Sequence, residues 1–335
     1  MGRNPNVLLI RLKSIGDVLF TLPAVNAVRE RFPDARIAFL TARENAPLLE
    51  GFREVNEVMT LDRARFSSRN PVTVLLEALD LFRRLRRGRF SLAVDFQGYG
   101  ETAWLAWLTR APQRWGIVYG RGRRWAYTCG VTRDERLHHV DRSLAVLRAG
   151  GLSPGTIRNE FALPDHALAW ARQFFTDSGL NPGKPTLFVQ PLTSSPQKNW
   201  PLERYIAVAR HWRQQGWQIL FGGGPQDQPT LAPVQQAGFT ISAGVPLLVT
   251  GGLVKLSTLM LGGDTGMTHL GVALGKRVIM VMRSGAPGSP CPYQHPDWAV
   301  TPATDNVISE IEIDPVIEAC ARAWQERSRA ALSDS

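Results

Sequence analysis

The stretch Leu259-Met260-Leu261-Gly262-Gly263-Asp264-Thr265-Gly266-Met267-Thr268-His269-Leu270-Gly271-Val272-Ala273-Leu274-Gly275 reads as a short apolar strand, a tight Gly-Gly turn, an Asp-Thr-Gly corner and a helix. The glycines let the backbone turn sharply and pass close to a ligand. Asp264 or Thr265 is placed to cap the helix. The first N–H groups of such a helix face whatever lies before it, which suits a phosphate. The expected substrate is therefore phosphorylated or nucleotide-linked.

Outward from this unit, the same alternation recurs. Strand-like runs at Val7 to Arg11, Arg36 to Thr41, Val55 to Leu61 and Ser91 to Phe96 are separated by helical spacing at Asp17 to Arg31 and Val72 to Arg87. Leu75, Leu79, Phe82 and Leu85 fall on one face of the latter helix, the expected core face. Thr102 to Arg110 and Val140 to Ala149 read as further helices, with Trp104 and Trp107 expected in the core. A second series starts at Thr186 to Gln190. It continues through a helix at Leu202 to Gln215, a strand at Gln218 to Phe221, the Gly222-Gly223-Gly224-Pro225 turn, a strand at Arg277 to Met282 and a helix at Ile313 to Trp324. Alternation of this kind predicts parallel α/β sheets. The expected architecture is two Rossmann-like domains facing across a cleft: 1–155, then a linker region over 156–185 rich in Pro and Gly and holding a helix near Asp165 to Ser178, then 186–335 with a terminal helix. Ligands should lie beyond the strand carboxyl ends.

At 335 residues the chain exceeds the ~100–200 typical of one domain. Its 44% apolar content suits a soluble globular protein. Arg11 and Lys13 interrupt the only N-terminal apolar run, which argues against a secretory signal. Ala243 to Leu261 is long and mostly apolar, but Pro246, Gly251, Gly252 and Lys255 argue for a buried loop and helix over a membrane span. Cys129, Cys291 and Cys320 are too far apart for a zinc site or disulfide framework, which fits a reducing cytoplasm. The formal charge is +10, and lysine is confined to Lys13, Lys184, Lys198, Lys255 and Lys276, so arginine carries it. Arg83, Arg84, Arg86, Arg87 and Arg89 form one cluster, and a second set follows from Arg110 to Arg142. Such clustering suits an anionic partner or a solvated basic surface.

Candidate chemistry sits at three turns. In Arg11-Leu12-Lys13-Ser14-Ile15-Gly16-Asp17, Asp17 stands at a helix start, either as a helix-terminal carboxylate or as a base for a sugar hydroxyl. In Gln190-Pro191-Leu192-Thr193-Ser194-Ser195-Pro196-Gln197-Lys198-Asn199-Trp200-Pro201, Lys198 lies among hydroxyls and can neutralise a phosphate as a point charge. After the Gly222 turn, Asp227 can accept bonds from ribose hydroxyls. His269 has no partner at metal-ligand spacing, so no metal site is expected.

Arg11, Gly16-Asp17-Val18 and Pro23, then Lys198-Asn199-Trp200-Pro201, then Asp264-Thr265-Gly266 with His269 and Ala273, together resemble glycosyltransferase family 9, which includes the ADP-heptose:lipopolysaccharide heptosyltransferases. Asp95-Phe96-Gln97-Gly98 and His139-Val140-Asp141-Arg142 are similar to the family's N-terminal half. The resemblance covers nearly the whole chain. It implies a GT-B fold, with acceptor in the first domain and nucleotide-sugar in the second, and inverting transfer without metal or other cofactor. On that resemblance Asp17 is the general base and Lys198 the basic residue at the donor diphosphate. Ser194, Ser195, Asp227, Asp264, Thr265, Gly266 and His269 meet the donor, and Lys13 and Gln97 the acceptor. The partners implied are ADP-heptose, an anionic lipopolysaccharide core and the inner-leaflet membrane surface, with no nucleic acid, for a cytoplasmic protein peripheral to the inner membrane. Gly244 to Leu261, with Gly251-Gly252, departs from the helix-then-strand expected before Asp-Thr-Gly. The alternatives are a GT-B transferase using another nucleotide sugar for a glycan or glycolipid, and a non-enzymatic basic glycolipid-binding protein. A dinucleotide-dependent enzyme is disfavoured, because no G-x-G-x-x-G follows a strand.

Overall fold

The computed structural model describes residues 5–67, 69–303 and 307–333, apart from the side chains of Arg121 and of residues 327–333. The chain forms two compact units, Met1–Ala162 and Leu163–Ser335. The break falls within the stretch 156–185, whose only long helix belongs to the second unit.

In the first unit, β1 (Asn6–Ile10), β2 (Arg36–Ala42), β3 (Glu57–Leu61), β4 (Leu92–Asp95), β5 (Gln113–Val118) and β6 (Cys129–Thr132) form one sheet in the order β3-β2-β1-β4-β5-β6. Every pairing is parallel. The crossovers carry α1 (Ile15–Leu19), α2 (Leu22–Arg31), α3 (Arg63–Phe66), α4 (Pro71–Arg87) and α5 (Gly100–Leu108), and α6 (His139–Ala149) follows β6. The central strand β1 is buried throughout from Val7 to Ile10, which is why it reads as a continuous apolar run.

The second unit repeats the plan. Its strands are β7 (Thr186–Gln190), β8 (Gln218–Gly223), β9 (Thr240–Ala243), β10 (Leu259–Gly263), β11 (Val278–Val281) and β12 (Ala299–Val300), in the order β12-β11-β10-β7-β8-β9. Its helices are α7 (Asp165–Asp177), α8 (Leu202–Gln214), α9 (Ala232–Gln236), α10 (Leu247–Leu256), α11 (Gly266–Ala273) and α12 (Ile313–Ser333). In both sheets the order reverses beside the first strand, between β1 and β4 and between β7 and β10. Such reversal points are where open α/β sheets bind ligands. Two Rossmann-like α/β domains are thus present, as the alternation predicts.

Four expectations need correction. The helix expected over Asp17 to Arg31 is two helices, α1 and α2. Pro23 sits at the start of α2, where its missing N–H costs nothing, whereas inside a longer helix it would break a bond. On α4 the side chains that enter the core are Leu81 and Leu85, while Leu75, Leu79 and Phe82 are exposed. Trp104 and Trp107 are also exposed. Finally, Gly244 to Leu261 does contain a helix followed by a strand, α10 and β10. A Cβ on Gly252 would lie 2.7 Å from the Ala167 carbonyl oxygen and 2.8 Å from the Ala171 Cβ. The glycine therefore lets α7 seat against α10. Residues 248–254 of α10 are buried, and among the described residues no helix is long and apolar enough to cross a membrane.

Candidate active site

The first cluster forms where β1 and β4 end. Ser14 caps α1, and Asp17 in its first turn accepts the Ser14 backbone N–H at 3.0 Å. Arg11 Nη2 lies 2.7 Å from Asp17 Oδ1, with side-chain exposures of 13% and 24%. His139 Nδ1 lies 3.1 Å from the same oxygen. Arg11 is itself held, donating from Nη1 to the Phe96 carbonyl at 2.6 Å. Burial pushes the Asp17 carboxyl upward most strongly. The His139 bond, the Arg11 charge and the Ser14 N–H together outweigh it and hold the group well below its ordinary value of 3.8. Asp17 is therefore an ionised, fixed carboxylate at neutral pH.

Asp95 organises the neighbouring loop from beneath. It is fully buried and accepts from the Gln97 and Gly98 N–H groups (2.8 and 3.0 Å) and from the Tyr127 hydroxyl (2.7 Å). Gln97 is buried too. Its Oε1 accepts the Leu12 N–H at 2.8 Å and the Lys13 N–H at 3.3 Å, stitching the two loops together. Its Nε2 has no partner among the described residues. Lys13 is exposed.

The second cluster forms where β7 and β10 end. Trp200, almost wholly buried, donates from Nε1 to the Ile311 carbonyl at 2.8 Å and anchors the loop after β7. The short turn Pro196–Lys198 then presents Lys198, whose Nζ lies 2.7 Å from Asp264 Oδ2. Buried His269 holds the other oxygen, Nε2 to Oδ1 at 3.1 Å. For Asp264 as well, burial pulls upward most, and His269 and Lys198 together bring the carboxyl below its ordinary value. Thr265, not Asp264, caps α11, its hydroxyl accepting the Thr268 N–H at 3.2 Å. The N–H groups of Gly266 and Met267 have no carbonyl behind them within the helix.

A cavity of about 240 Å³ opens here, lined by Lys198, Asp264, Met282, Arg283, Ser284, Ser289 and Pro290. Of the residues expected at the donor, Lys198 and Asp264 line it. Ser194 is exposed, and Ser195 Oγ donates to Gln197 Oε1 at 3.2 Å. Asp227 gives one oxygen to its own turn, accepting the Gly224 N–H at 2.7 Å. His269 supports Asp264 from within the core. Sequence reasoning did not single out Arg283 and Ser284 as site residues, yet they follow β11 directly, where a strand carboxyl end next to β10 marks ligand-facing positions. His139 and Arg11 were read only as part of the resemblance. No local signal joins His139 to Asp17 across 122 residues of sequence.

The profile of glycosyltransferase family 9 (heptosyltransferase) matches residues 78–308. The chain is 22% identical over 341 residues to the lipopolysaccharide core heptosyltransferase OpsX of Haemophilus influenzae, covering 92% of this chain and 94% of the relative. Among solved structures, a glycosyl transferase family 9 protein of Veillonella parvula superposes with a TM-score of 0.83 at 19% identity, covering 96% and 97% of the two chains. The ADP-heptose LPS heptosyltransferase II of Escherichia coli gives 0.79 at 20% identity, covering 96% and 99%. These likenesses show the GT-B fold, and since the profile spans well over half of the sequence, the protein belongs to glycosyltransferase family 9 and is a glycosyltransferase.

Proposed function

We propose that the protein moves a heptose from ADP-heptose to a hydroxyl of the lipopolysaccharide inner core, inverting the anomeric centre without a metal ion. The observation that carries this reading is the Lys198–Asp264–His269 arrangement on a cavity beside the N-terminus of α11. Lys198, Arg283 and the first amides of that helix supply positive potential to a diphosphate, the work a divalent cation does elsewhere. The relatives' names supply the sugar, the nucleotide and the acceptor class.

In the reaction, the acceptor oxygen attacks the anomeric carbon. The bond from that carbon to the β-phosphate oxygen breaks, its electron pair leaves with ADP, and the hydroxyl proton passes to Asp17. Arg11 and His139 keep Asp17 ionised and aimed, so no proton must be shed before the step. Its low affinity for protons makes the transfer a late event, when bond formation has already made the hydroxyl acidic. Ser194, Ser195, Thr265 and Gly266 are assigned to the phosphates, and the second oxygen of Asp227 to the ribose. Lys13 and the Gln97 Nε2 are assigned to the anionic acceptor. A lipid-borne acceptor places the protein at the cytoplasmic face of the inner membrane.

Calorimetric titration of ADP, UDP and GDP in EDTA tests the donor assignment. The expected result is binding selective for ADP. Selective UDP or GDP binding would retain a transferase with another nucleotide sugar and overturn the heptose reading.

A further inference from the structure

The outward side of α4 and α5 has no role in either cluster. Positions 72, 75, 76 and 79 recur at helical spacing on the face of α4 opposite Leu81 and Leu85, which enter the core. On that face Leu75 and Leu76 are 58% and 59% exposed, and Val72, Leu79 and Phe82 are exposed as well. The same face continues in the last two turns as Arg83, Arg86 and Arg87. α5 packs beside α4. It carries Trp104 and Trp107, which with Trp125 form a triangle of edge-on indoles with centroids 4.6–5.9 Å apart. All three are 42–53% exposed. Among the described residues, Arg83, Arg87, Arg110 and Arg124 have no carboxylate within ion-pair distance.

Single exposed leucines need no explanation, but a run over three turns beside three exposed tryptophans does. Two occupants compete for such a face. A second copy of the chain would bring the arginines of one subunit against those of the other, on a protein already at +10. An anionic bilayer matches both features, since apolar residues and indoles enter the boundary between headgroups and chains while arginines meet phosphates. From this charge complementarity we infer that the α4–α5 face is the membrane-docking surface, seating Val72, Leu75, Leu76, Leu79 and Trp104 in an anionic leaflet. The inference deepens the reading of a lipid-borne acceptor but stands on its own observations.

Co-sedimentation with vesicles of phosphatidylcholine alone, and of phosphatidylcholine with phosphatidylglycerol, tests it. The wild-type chain should bind the anionic vesicles and largely ignore the neutral ones. Leu75→Ser/Leu76→Ser/Leu79→Ser should weaken partitioning about tenfold or more. Arg83→Ser/Arg87→Ser should weaken it about thirtyfold, at roughly one headgroup-layer charge per arginine. These positions are exposed, so melting curves should match wild type. A measurement that needs no stability control is quenching of tryptophan fluorescence by brominated lipid, which Trp104→Phe/Trp107→Phe/Trp125→Phe should abolish. Absence of anionic binding, or binding that neither variant set changes, would overturn the proposal. So would a dimer in sedimentation velocity that the leucine variant dissociates, which would assign the face to a second copy. ADP titration of the same variants should be unchanged. A wild-type chain that binds vesicles but no nucleotide would count against the donor assignment alone.

Discussion

Replacing Asp17 by asparagine removes one negative charge and almost no volume, so it separates the chemistry of that carboxylate from its shape. The amide oxygen can still accept the Ser14 N–H, but Arg11 loses its carboxylate at 2.7 Å and keeps only the Phe96 carbonyl. Both partners of the pair are mostly buried, and breaking a fully buried pair costs about 3–5 kcal/mol. With the remaining exposure discounted, the expected cost is about 1–3 kcal/mol. At roughly 2–4 °C per kcal/mol for a domain of this size, melting should fall by about 2–12 °C. The protein therefore stays folded at assay temperature while its base is gone. Loss of a general base slows turnover about 10²–10⁴-fold. Asp17 is not among the groups around the cavity at Lys198 and Asp264, so ADP affinity should hold within about twofold, the size of an uncoupled change. Coupled detection of ADP release gives turnover, and calorimetry gives the dissociation constant. Turnover within tenfold of wild type would refute the base assignment. An ADP affinity loss as large as the turnover loss would refute the division of labour.

Lys198→Ala removes a charge 2.7 Å from Asp264 and should weaken ADP binding about 10–100-fold, the worth of one charge-assisted bond. Because Lys198 is 44% exposed, stability should change by less than about 1 kcal/mol. An unchanged dissociation constant would remove the phosphate contact. Asp17 and Asp264 both have folded values below 3.8, so the unfolded chain binds their protons first as pH falls. Their contribution to stability is full above that value and drains away as pH drops through the folded values. The melting temperature should therefore decline steeply below about pH 4, and Asp17→Asn should flatten that decline; a slope identical to wild type would contradict it. Gly252→Ala places a methyl 2.7 Å from the Ala167 carbonyl oxygen and should cost about 1–3 kcal/mol in denaturant titration. Wild-type stability in that variant would show that α7 is not seated as described.

What the sequence makes legible here is local. The Gly-Gly turn and Asp-Thr-Gly corner announce β10 and α11, because glycine and a capping hydroxyl have few other uses at that spacing. Alternation along the chain predicts two parallel sheets, because buried parallel strands are apolar on both faces. β5 is hidden, since Arg114 and Gly116 interrupt its apolar run. Gly116 is required there because a Cβ would lie 2.3 Å from the Tyr127 ring, a tertiary fact. The amphipathic period of α4 is readable, but not which apolar side meets the sheet, because both sides carry leucine. Lys198 and Asp264 stand out from their neighbours in sequence, whereas the Asp17–His139 contact and the Gln97 stitch between two loops depend on chain segments brought together by the sheet. Arg283 was within reach, since residues just past a parallel strand's carboxyl end face ligand.

Heptose transfer by this protein is tested in an assay in EDTA, with ADP-heptose and a Kdo–lipid A acceptor, read by mass spectrometry of the acceptor. An acceptor heavier by one heptose is expected, with ADP released in equal amount and product formed about 10²–10⁴-fold more slowly by Asp17→Asn. Transfer from a uridine or guanosine sugar with none from ADP-heptose, or transfer that stops when EDTA is added, would contradict it.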